Sequence, residues 1–247
     1  MESYKVWALS DFHLPGSRKR TMDQYTTEEI NWINHPKRMM EKFQQLFSPK
    51  DLLVVPGDIS FAHNLTEVKP DFEYINQIPC TVIMSEGNHE SWSSKYNQVI
   101  QSLPKNAIWA VKGCHRFGNV AIISQRLWDI EGVFPWPNHY PQKRGDPKKI
   151  IKKELNELEE KLKLLPQDDN IIRILMVHFP PINVDGQPND VTRMISQYHV
   201  NYCIYGHVHA QVQRVPAGDC TIDGVRYLLT SCDYINFTPI EVCTYHE

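Results

Sequence analysis

Seven side chains of metal-binding type lie in five short motifs, and their types and order predict a metal centre. The motifs are Asp11-Phe12-His13, Gly57-Asp58, Gly87-Asn88-His89-Glu90, His178 and Gly206-His207-Val208-His209. Each motif directly follows an apolar run of β-prone residues. The donors are carboxylate oxygens, an amide oxygen and imidazole nitrogens, which is a sufficient set to bind two divalent cations. A pair of cations favours the in-line attack of water on a phosphorus centre.

The spacing of the motifs predicts which side chains share a cation. Asp11 and His13 are two residues apart, so on an extended backbone their side chains would project to the same side. Asp58 follows a glycine at a predicted tight turn, from which a carboxylate could bridge two cations. We therefore expect two ligand groups that share Asp58: Asp11, His13, Asp58 and His209 at one cation, and Asp58, Asn88, His178 and His207 at the other.

The donor set also predicts the kind of metal. Four histidines in a mixed nitrogen and oxygen set favour manganese, iron, zinc or cobalt over calcium or magnesium. The charge of two divalent cations exceeds that of Asp11, Asp58 and a bridging hydroxide. A site left positive favours an anionic substrate such as a phosphate, and the cations would lower the pKa of a bridging water toward ~7.

Strands and helices that would position these groups alternate along the chain. Apolar runs predict strands at Tyr4–Leu9, Asp51–Val55, Thr81–Met84, Ile108–Val111, Val120–Ser124, Ile171–Val177, Val200–Tyr205, Val212–Val215, Val225–Leu229 and Ile240–Tyr245. Helical periodicity between the earlier strands predicts βαβ units and largely parallel pairing. The hairpin signal Asp223-Gly224 indicates a second, β-rich sheet. We expect one layered α/β domain spanning residues 1–247, with its ligand site at the carboxyl ends of the strands.

Two segments have less regular patterns. Thr26-Thr27-Glu28-Glu29 matches a capping box and predicts a short helix that is interrupted at Pro36. Residues 128–146 have no periodicity and predict a long ordered loop, of the kind that is often functional. In this loop Trp128, Trp136 and Tyr140 either form an aromatic lid that stacks on a base or pack the loop against the protein.

Composition narrows the functional classes. The formal net charge is -3 and the pI is near 6.4, which gives no overall attraction to nucleic acid or to anionic lipid. Six cysteines without CxxC spacing favour reduced thiols over a disulfide or zinc framework. No segment approaches the ~18 apolar residues of a membrane span, and the N-terminus has no signal-peptide pattern. We expect a cytoplasmic protein with no membrane association.

The five motifs at these spacings resemble the calcineurin-like metallophosphoesterase superfamily. The resemblance implies a four-layer αββα sandwich, in which two mixed sheets are flanked by helices, and a dinuclear metal centre with the ligands assigned above. It further implies that His89 protonates the leaving oxygen or stabilises the transition state. The expected activity is metal-dependent hydrolysis of a phosphomonoester or phosphodiester by a hydroxide that bridges the two metals.

One loop departs from a branch of that superfamily. Protein Ser/Thr phosphatases have a second aspartate and an arginine after the Gly-Asp motif, whereas this chain has Ile59-Ser60-Phe61-Ala62. The segment 21–35 is instead similar to a poorly characterised branch of predicted phosphohydrolases. Two alternatives remain open. A non-catalytic protein-binding scaffold of the same fold would be expected to have a degraded site, and a nuclease would need a basic groove.

Three residues outside the motifs are candidate substrate contacts. Arg18, followed by Lys19 and Arg20, comes soon after the first motif and could reach an anionic group, or it could belong to a solvated basic loop. Arg126 precedes the long loop and could point toward a phosphate. His35 lies near the strand ends and could contact substrate or cap a turn. The expected partner is a small phosphorylated molecule.

Overall fold

The computed structural model describes residues 2–18, 20–128, 147–210 and 218–246. Eleven strands occur in these ranges: β1 Ser3–Ala8, β2 Leu52–Val55, β3 Thr81–Met84, β4 Ala107–Trp109, β5 His115–Phe117, β6 Val120–Gln125, β7 Ile172–Val177, β8 Tyr202–Tyr205, β9 Asp219–Ile222, β10 Val225–Leu229 and β11 Ile240–His246. The α-helices of the same ranges are α1 His35–Leu46, α2 Lys69–Ile75, α3 Tyr96–Ser102, α4 Pro147–Leu162 and α5 Asp190–Gln197.

The strands form two mixed sheets. The first has the order β11-β1-β2-β3-β4, with β1 to β4 parallel and β11 antiparallel at the edge. The second has the order β5-β6-β7-β8-β10-β9, parallel from β6 to β10, with one antiparallel strand at each edge. The Asp223-Gly224 turn joins β9 to β10 as an antiparallel hairpin, as predicted from the sequence.

Alternation of side chains along the strands produces three separate apolar cores. In β1, Val6 and Ala8 face the space between the two sheets, whereas Trp7 faces outward toward helices. In β7, Ile174 packs between the sheets and Leu175 packs on the opposite face. Both faces of each sheet are therefore covered, which explains why these strands are apolar almost throughout.

Helices cover the outer face of each sheet. Phe43 of α1, Phe72 of α2 and Val99 of α3 pack in the outer core of the first sheet. Leu158 of α4 and Ile195 of α5 pack in the outer core of the second sheet. Burying one such side chain contributes about 1.5–3 kcal/mol. The layers are helix, sheet, sheet and helix, and the predicted αββα architecture is confirmed.

The helix predicted from the capping box does not form. Thr27 Oγ1 accepts a hydrogen bond from the N–H of Ile30 at 3.0 Å, as a helix cap would, but the segment continues as turns. The next helix, α1, begins at His35, with Pro36 in its first turn, where proline is favoured. The short edge strand β5 was not predicted.

Some predicted elements lie outside the described residues. These are the strand Val212–Val215 and residues 129–146 of the predicted loop, including Trp136 and Tyr140. Within the described ranges, no helix has both the length and the hydropathy needed to cross a lipid bilayer.

Candidate metal centre

All five motifs meet at one edge of the sandwich, where parallel strands from both sheets end. Asp11 follows β1, Asp58 follows β2 and Asn88 follows β3, while His178 and His207 follow β7 and β8. The two sheets are joined at this edge, because the N–H of Ser10 donates to the carbonyl of Thr230 beyond β10. The fold therefore places the predicted ligands in one cluster.

Four of the predicted ligands have a left-handed backbone. The φ angles are 58° at Asp11, 46° at His13, 52° at Asp58 and 70° at His207. The extended backbone expected at Asp11 and His13 is therefore wrong, although their side chains do lie close together. Left-handed non-glycine residues cost of order 1–3 kcal/mol each and concentrate at functional sites, where the surrounding structure holds them.

Glycines next to two ligands permit close approach. A Cβ atom on Gly87 would lie 2.3 Å from Oδ1 of Asp58, and one on Gly206 would lie 2.4 Å from Oδ2 of Asp11. Both distances are far inside van der Waals contact. The glycines in the third and fifth motifs thus let the loops carrying Asn88 and His207 pass over the carboxylates of the first two.

The first group of metal-capable atoms contains Asp11, His13 and His209, whose donor atoms lie within 4.8 Å of one another. His13 Nε2 is 3.9 Å from Asp11 Oδ1 and 3.2 Å from His209 Nε2. Asp11 is fully buried, and its Oδ2 accepts hydrogen bonds from the hydroxyls of Ser10 and Ser231. The backbone and these hydroxyls therefore fix the position of the carboxylate.

The second group contains Asp58, His178 and His207, with Asn88 beside it. His178 Nδ1 donates to the carbonyl oxygen of Pro56 at 3.0 Å, which leaves a lone pair on Nε2. That lone pair faces the Asn88 Oδ1 at 2.9 Å and the Asp58 Oδ1 at 3.5 Å. His178 Nε2, Asn88 Oδ1 and Asp58 Oδ1 thus converge with no hydrogen-bond donor between them, which is an arrangement suited to binding a cation.

A third group overlaps the first two and contains His13, Asp58 and His89. The N–H of His89 donates to Asp58 Oδ1 at 2.9 Å, and the His89 Nε2 lies 3.8 Å from Asp58 Oδ2. The side chain of His89 is 35% exposed, whereas that of Asp58 is 2% exposed. His89 thus faces the open side of the cluster, next to the group shared by both predicted cation sites.

The electrostatics of the cluster also favour a cation. Burial, together with the negative charge of Asp11, raises the pKa of Asp58 to about 8. Burial and the neighbouring histidines hold the pKa of His13 well below its usual value, so its imidazole is neutral. Burying two carboxylates side by side is costly, and divalent cations would remove that cost.

Glu90 organises two of the motif loops, a role that the sequence did not reveal. Its Oε2 accepts from the N–H groups of Asp58 at 3.1 Å and Gly87 at 2.6 Å, and its Oε1 accepts from Ile59 at 2.7 Å and Ser60 at 3.4 Å. Burial raises the pKa of Glu90 to about 8. Despite this raised pKa, both oxygens of Glu90 accept only from N–H donors, so the surrounding backbone is arranged to stabilise an ionised carboxylate.

Asp233 is a second residue that the sequence did not reveal. Its Oδ1 accepts from His209 Nδ1 at 2.9 Å, and its Oδ2 accepts from the N–H of Ala210 at 3.1 Å. Burial lowers the pKa of His209, but the hydrogen bond and charge of Asp233 outweigh it and raise the pKa to about 9. A carboxylate behind an imidazole orients metal-binding histidines and makes them more basic. No spacing rule connects residue 233 to the earlier motifs.

Two of the three candidate substrate residues have side chains that contact groups outside the cluster. His35 is buried, and its ring nitrogens contact the carbonyl oxygens of Phe12 and Trp32, so it supports the first motif from behind. Arg126 is 3.8 Å from Glu154 and lies over the ring of Trp128. For His35 in particular, the predicted substrate contact is corrected, because a buried ring with both nitrogens in use cannot bind a ligand.

Of the two arginines in the predicted basic loop, the structure places Arg20 rather than Arg18 at the site. Arg18 contacts His63 and lies 3.9 Å from Glu67, whereas Arg20 lines a cleft of about 210 Å³. The cleft is lined by His13, Arg20, Met22, Tyr25, Trp32, Phe61, His89, His209 and Asp233. The cleft therefore opens onto the first and third groups of metal-capable atoms. Arg18 is not among the residues that line it, so the structure does not support Arg18 as a substrate contact.

The fold and the clustered side chains define an α/β protein with a candidate metal centre at its strand ends. A family model described as calcineurin-like phosphoesterase matches residues 4–211. This range covers most of the chain and includes all of the predicted ligands. The protein belongs to the calcineurin-like phosphoesterase family, which is a family of metal-dependent hydrolases that act on phosphoesters.

Solved structures share this fold. Phosphopantetheinyl hydrolase (PptH) from Mycobacterium tuberculosis has a TM-score of 0.58 and 17% identity, covering 95% of this chain and 91% of its own. The protein of unknown function AQ665 from Aquifex aeolicus has a TM-score of 0.51 and 14% identity, covering 96% of this chain and 95% of its own. At these identities the similarity establishes the fold alone. Among curated proteins, no sequence matches the chain.

Proposed function

We propose that this protein is a dinuclear-metal-dependent phosphoester hydrolase. The observation that carries the proposal is the sharing of ligands between the metal-capable groups. Asp58 belongs to two groups and His13 belongs to two, so the three groups form one continuous cluster. A single structural cation would not need donors distributed in this way, whereas a pair of cations that share Asp58 would use every donor of these groups except His89.

The proposed ligands are those derived from the sequence: Asp11, His13, Asp58 and His209 for one ion, and Asp58, Asn88, His178 and His207 for the other. The imidazole-rich donor set favours manganese, iron, zinc or cobalt. When bound, such ions supply Lewis-acid stabilisation of phosphoryl oxygens and generate a nucleophile from water near neutral pH.

The protein side chains contribute orientation and proton transfer. Asp58 is held by the N–H of His89 and lies beneath the exposed end of that imidazole. We assign His89 as the group that protonates the leaving oxygen or stabilises the transition state, because its side chain is partly exposed at the cleft. General acid catalysis of this kind contributes about 10²–10⁴-fold to a rate.

The substrate that we propose is a small phosphorylated molecule, either a monoester or a diester. The cleft of about 210 Å³ supports a small ligand, and PptH, which shares the fold, is named for hydrolysis of a phosphopantetheinyl group. The proposal includes a cytoplasmic location, which is supported by the six cysteines, all of them free thiols.

The test combines metal content with hydrolysis. Wild-type protein should retain about two metal ions per chain after dialysis, measured by mass spectrometry, and should hydrolyse p-nitrophenyl phosphate or bis(p-nitrophenyl) phosphate with manganese. Asp58→Asn should lose both properties. Asp71→Asn is the matched control, since Asp71 is also a buried aspartate but belongs to none of the metal-capable groups. Wild-type protein that binds no metal, or that hydrolyses neither ester, would contradict the proposal.

A further inference from the structure

Two arginines of the same loop have different surroundings. Arg18 contacts His63 and lies 3.9 Å from the carboxylate of Glu67, so its charge is already compensated. Arg20 lines the cleft, and no carboxylate among the described residues lies within ion-pair distance of it. The guanidinium of Arg20 instead lies over the ring of Phe61, with its carbon 4.1 Å from the ring centroid. The positive charge of Arg20 is therefore available to a ligand.

Phe61 links this arginine to the candidate metal centre. Its ring stacks on His13 with a centroid separation of 4.8 Å and meets the ring of His89 edge-on at 4.9 Å. Phe61 is 5% exposed, so its position is fixed by packing. The Phe61 ring therefore contacts the guanidinium of Arg20 as well as the imidazoles of His13, a predicted metal ligand, and His89, the predicted acid. Cation–π contact with a fixed ring reduces the freedom of an otherwise exposed side chain.

We propose that Arg20 binds a phosphoryl oxygen of the substrate, an inference that rests on the proposed hydrolase function. The guanidinium presents paired N–H donors that match the geometry of phosphate oxygens, and a charge-assisted pair of this type is stronger than a neutral one. Phe61 itself is uncharged and lies in the loop that follows Asp58. Arg20 supplies the positive charge from the neighbouring loop instead.

The inference is tested by substrate kinetics and by phosphate binding to the manganese-loaded protein. Arg20→Gln should raise KM and the dissociation constant of inorganic phosphate by about tenfold, which corresponds to about 1.4 kcal/mol. The metal content should stay at the wild-type level. Arg20→Lys should recover part of the loss, because it keeps the charge but not the paired donors. Arg38→Gln is the control, since Arg38 also stacks on an aromatic ring, that of Phe237, but lies outside the cleft lining.

Three outcomes would overturn the inference while leaving the hydrolase proposal intact. One is an active Arg20→Gln variant with wild-type KM and wild-type phosphate affinity. Another is a raised KM with unchanged phosphate affinity, which would place Arg20 against the leaving group. The third is loss of metal from Arg20→Gln, which would make the residue structural. Failure of the wild-type protein itself to bind metal or hydrolyse an ester would instead contradict the proposed function.

Discussion

The imidazole of His209 lies between a carboxylate and a second imidazole. Its Nδ1 is 2.9 Å from Asp233 Oδ1, and its Nε2 faces His13 Nε2 at 3.2 Å. Because Nδ1 donates its proton to Asp233, a cation that displaces the proton of Nε2 would meet a lone pair directed into the candidate metal centre. Asp233 therefore fixes both the tautomer and the direction of a predicted ligand that comes from a loop between β8 and β9.

Asp233→Asn should weaken metal binding without unfolding the protein. The amide oxygen can still accept the hydrogen bond from His209 Nδ1, but the variant loses the negative charge that makes the imidazole basic. Changes to such supporting carboxylates reduce metal affinity by about 10–100-fold. Manganese or cobalt titration by calorimetry measures the effect. Asp219→Asn, which alters an exposed ion pair with Arg226, should leave the affinity unchanged. Equal affinities for wild-type protein and Asp233→Asn would show that Asp233 has no influence on the ligand.

His89→Ala should separate catalysis from metal binding. If His89 acts as the acid, the variant keeps its metals and loses about 10²–10⁴ in kcat. Metal content is measured alongside kcat, because His89 shares a metal-capable group with His13 and Asp58. Loss of one metal ion in the variant would show that His89 is a ligand. His115→Ala, in the edge strand β5, is the control and should change neither quantity.

Glu90→Gln should destabilise the protein as a whole. Glu90 accepts four backbone N–H groups from the loops that carry Asp58 and Asn88, and an amide nitrogen at either oxygen position would face those donors. We expect a loss of about 1–3 kcal/mol in the free energy of unfolding, measured in urea. Glu73→Gln, at an exposed position of α2, should change this free energy little. An unchanged unfolding midpoint for Glu90→Gln would contradict the role of Glu90 as a clamp.

Asp71→Asn should stabilise the protein at neutral pH. Burial raises the pKa of Asp71 from 3.8 to about 6. Between about pH 4 and pH 6 the carboxyl group therefore keeps its proton in the folded state but has released it in the unfolded state. Wild-type stability therefore falls as the pH rises from about 4 to about 6, and the cost then remains constant. The variant has no such titration.

The gain from Asp71→Asn should be about 1–3 kcal/mol at pH 7.5 and should vanish near pH 4. Unfolding in urea at several pH values measures it. Asp169→Asn, at an exposed position, provides the comparison and should show no pH-dependent gain. A gain of equal size at both pH values would show that the effect does not come from titration of Asp71.

The sequence predicted much of this fold because its strands are apolar on both faces and end at sharp turns. Val54 and Leu53 of β2 pack in different cores, yet both are apolar, which marks a strand buried in a sandwich. The helix predicted after Thr26 failed for a different reason. The same hydrogen bond from Ile30 to Thr27 satisfies a turn as well as a helix cap, and tertiary packing decided between them.

The sequence by itself determined the types of the predicted ligands, their order and their positions after strands. These features were sufficient to identify the family. The tertiary structure decided everything that depends on distance between segments remote in the chain. It brought Asp233 to His209, assigned Glu90 to two loops, directed Arg20 rather than Arg18 into the cleft, and gave His35 a supporting role. Strand periodicity is a local property, whereas the direction of a loop side chain depends on packing that no local pattern encodes.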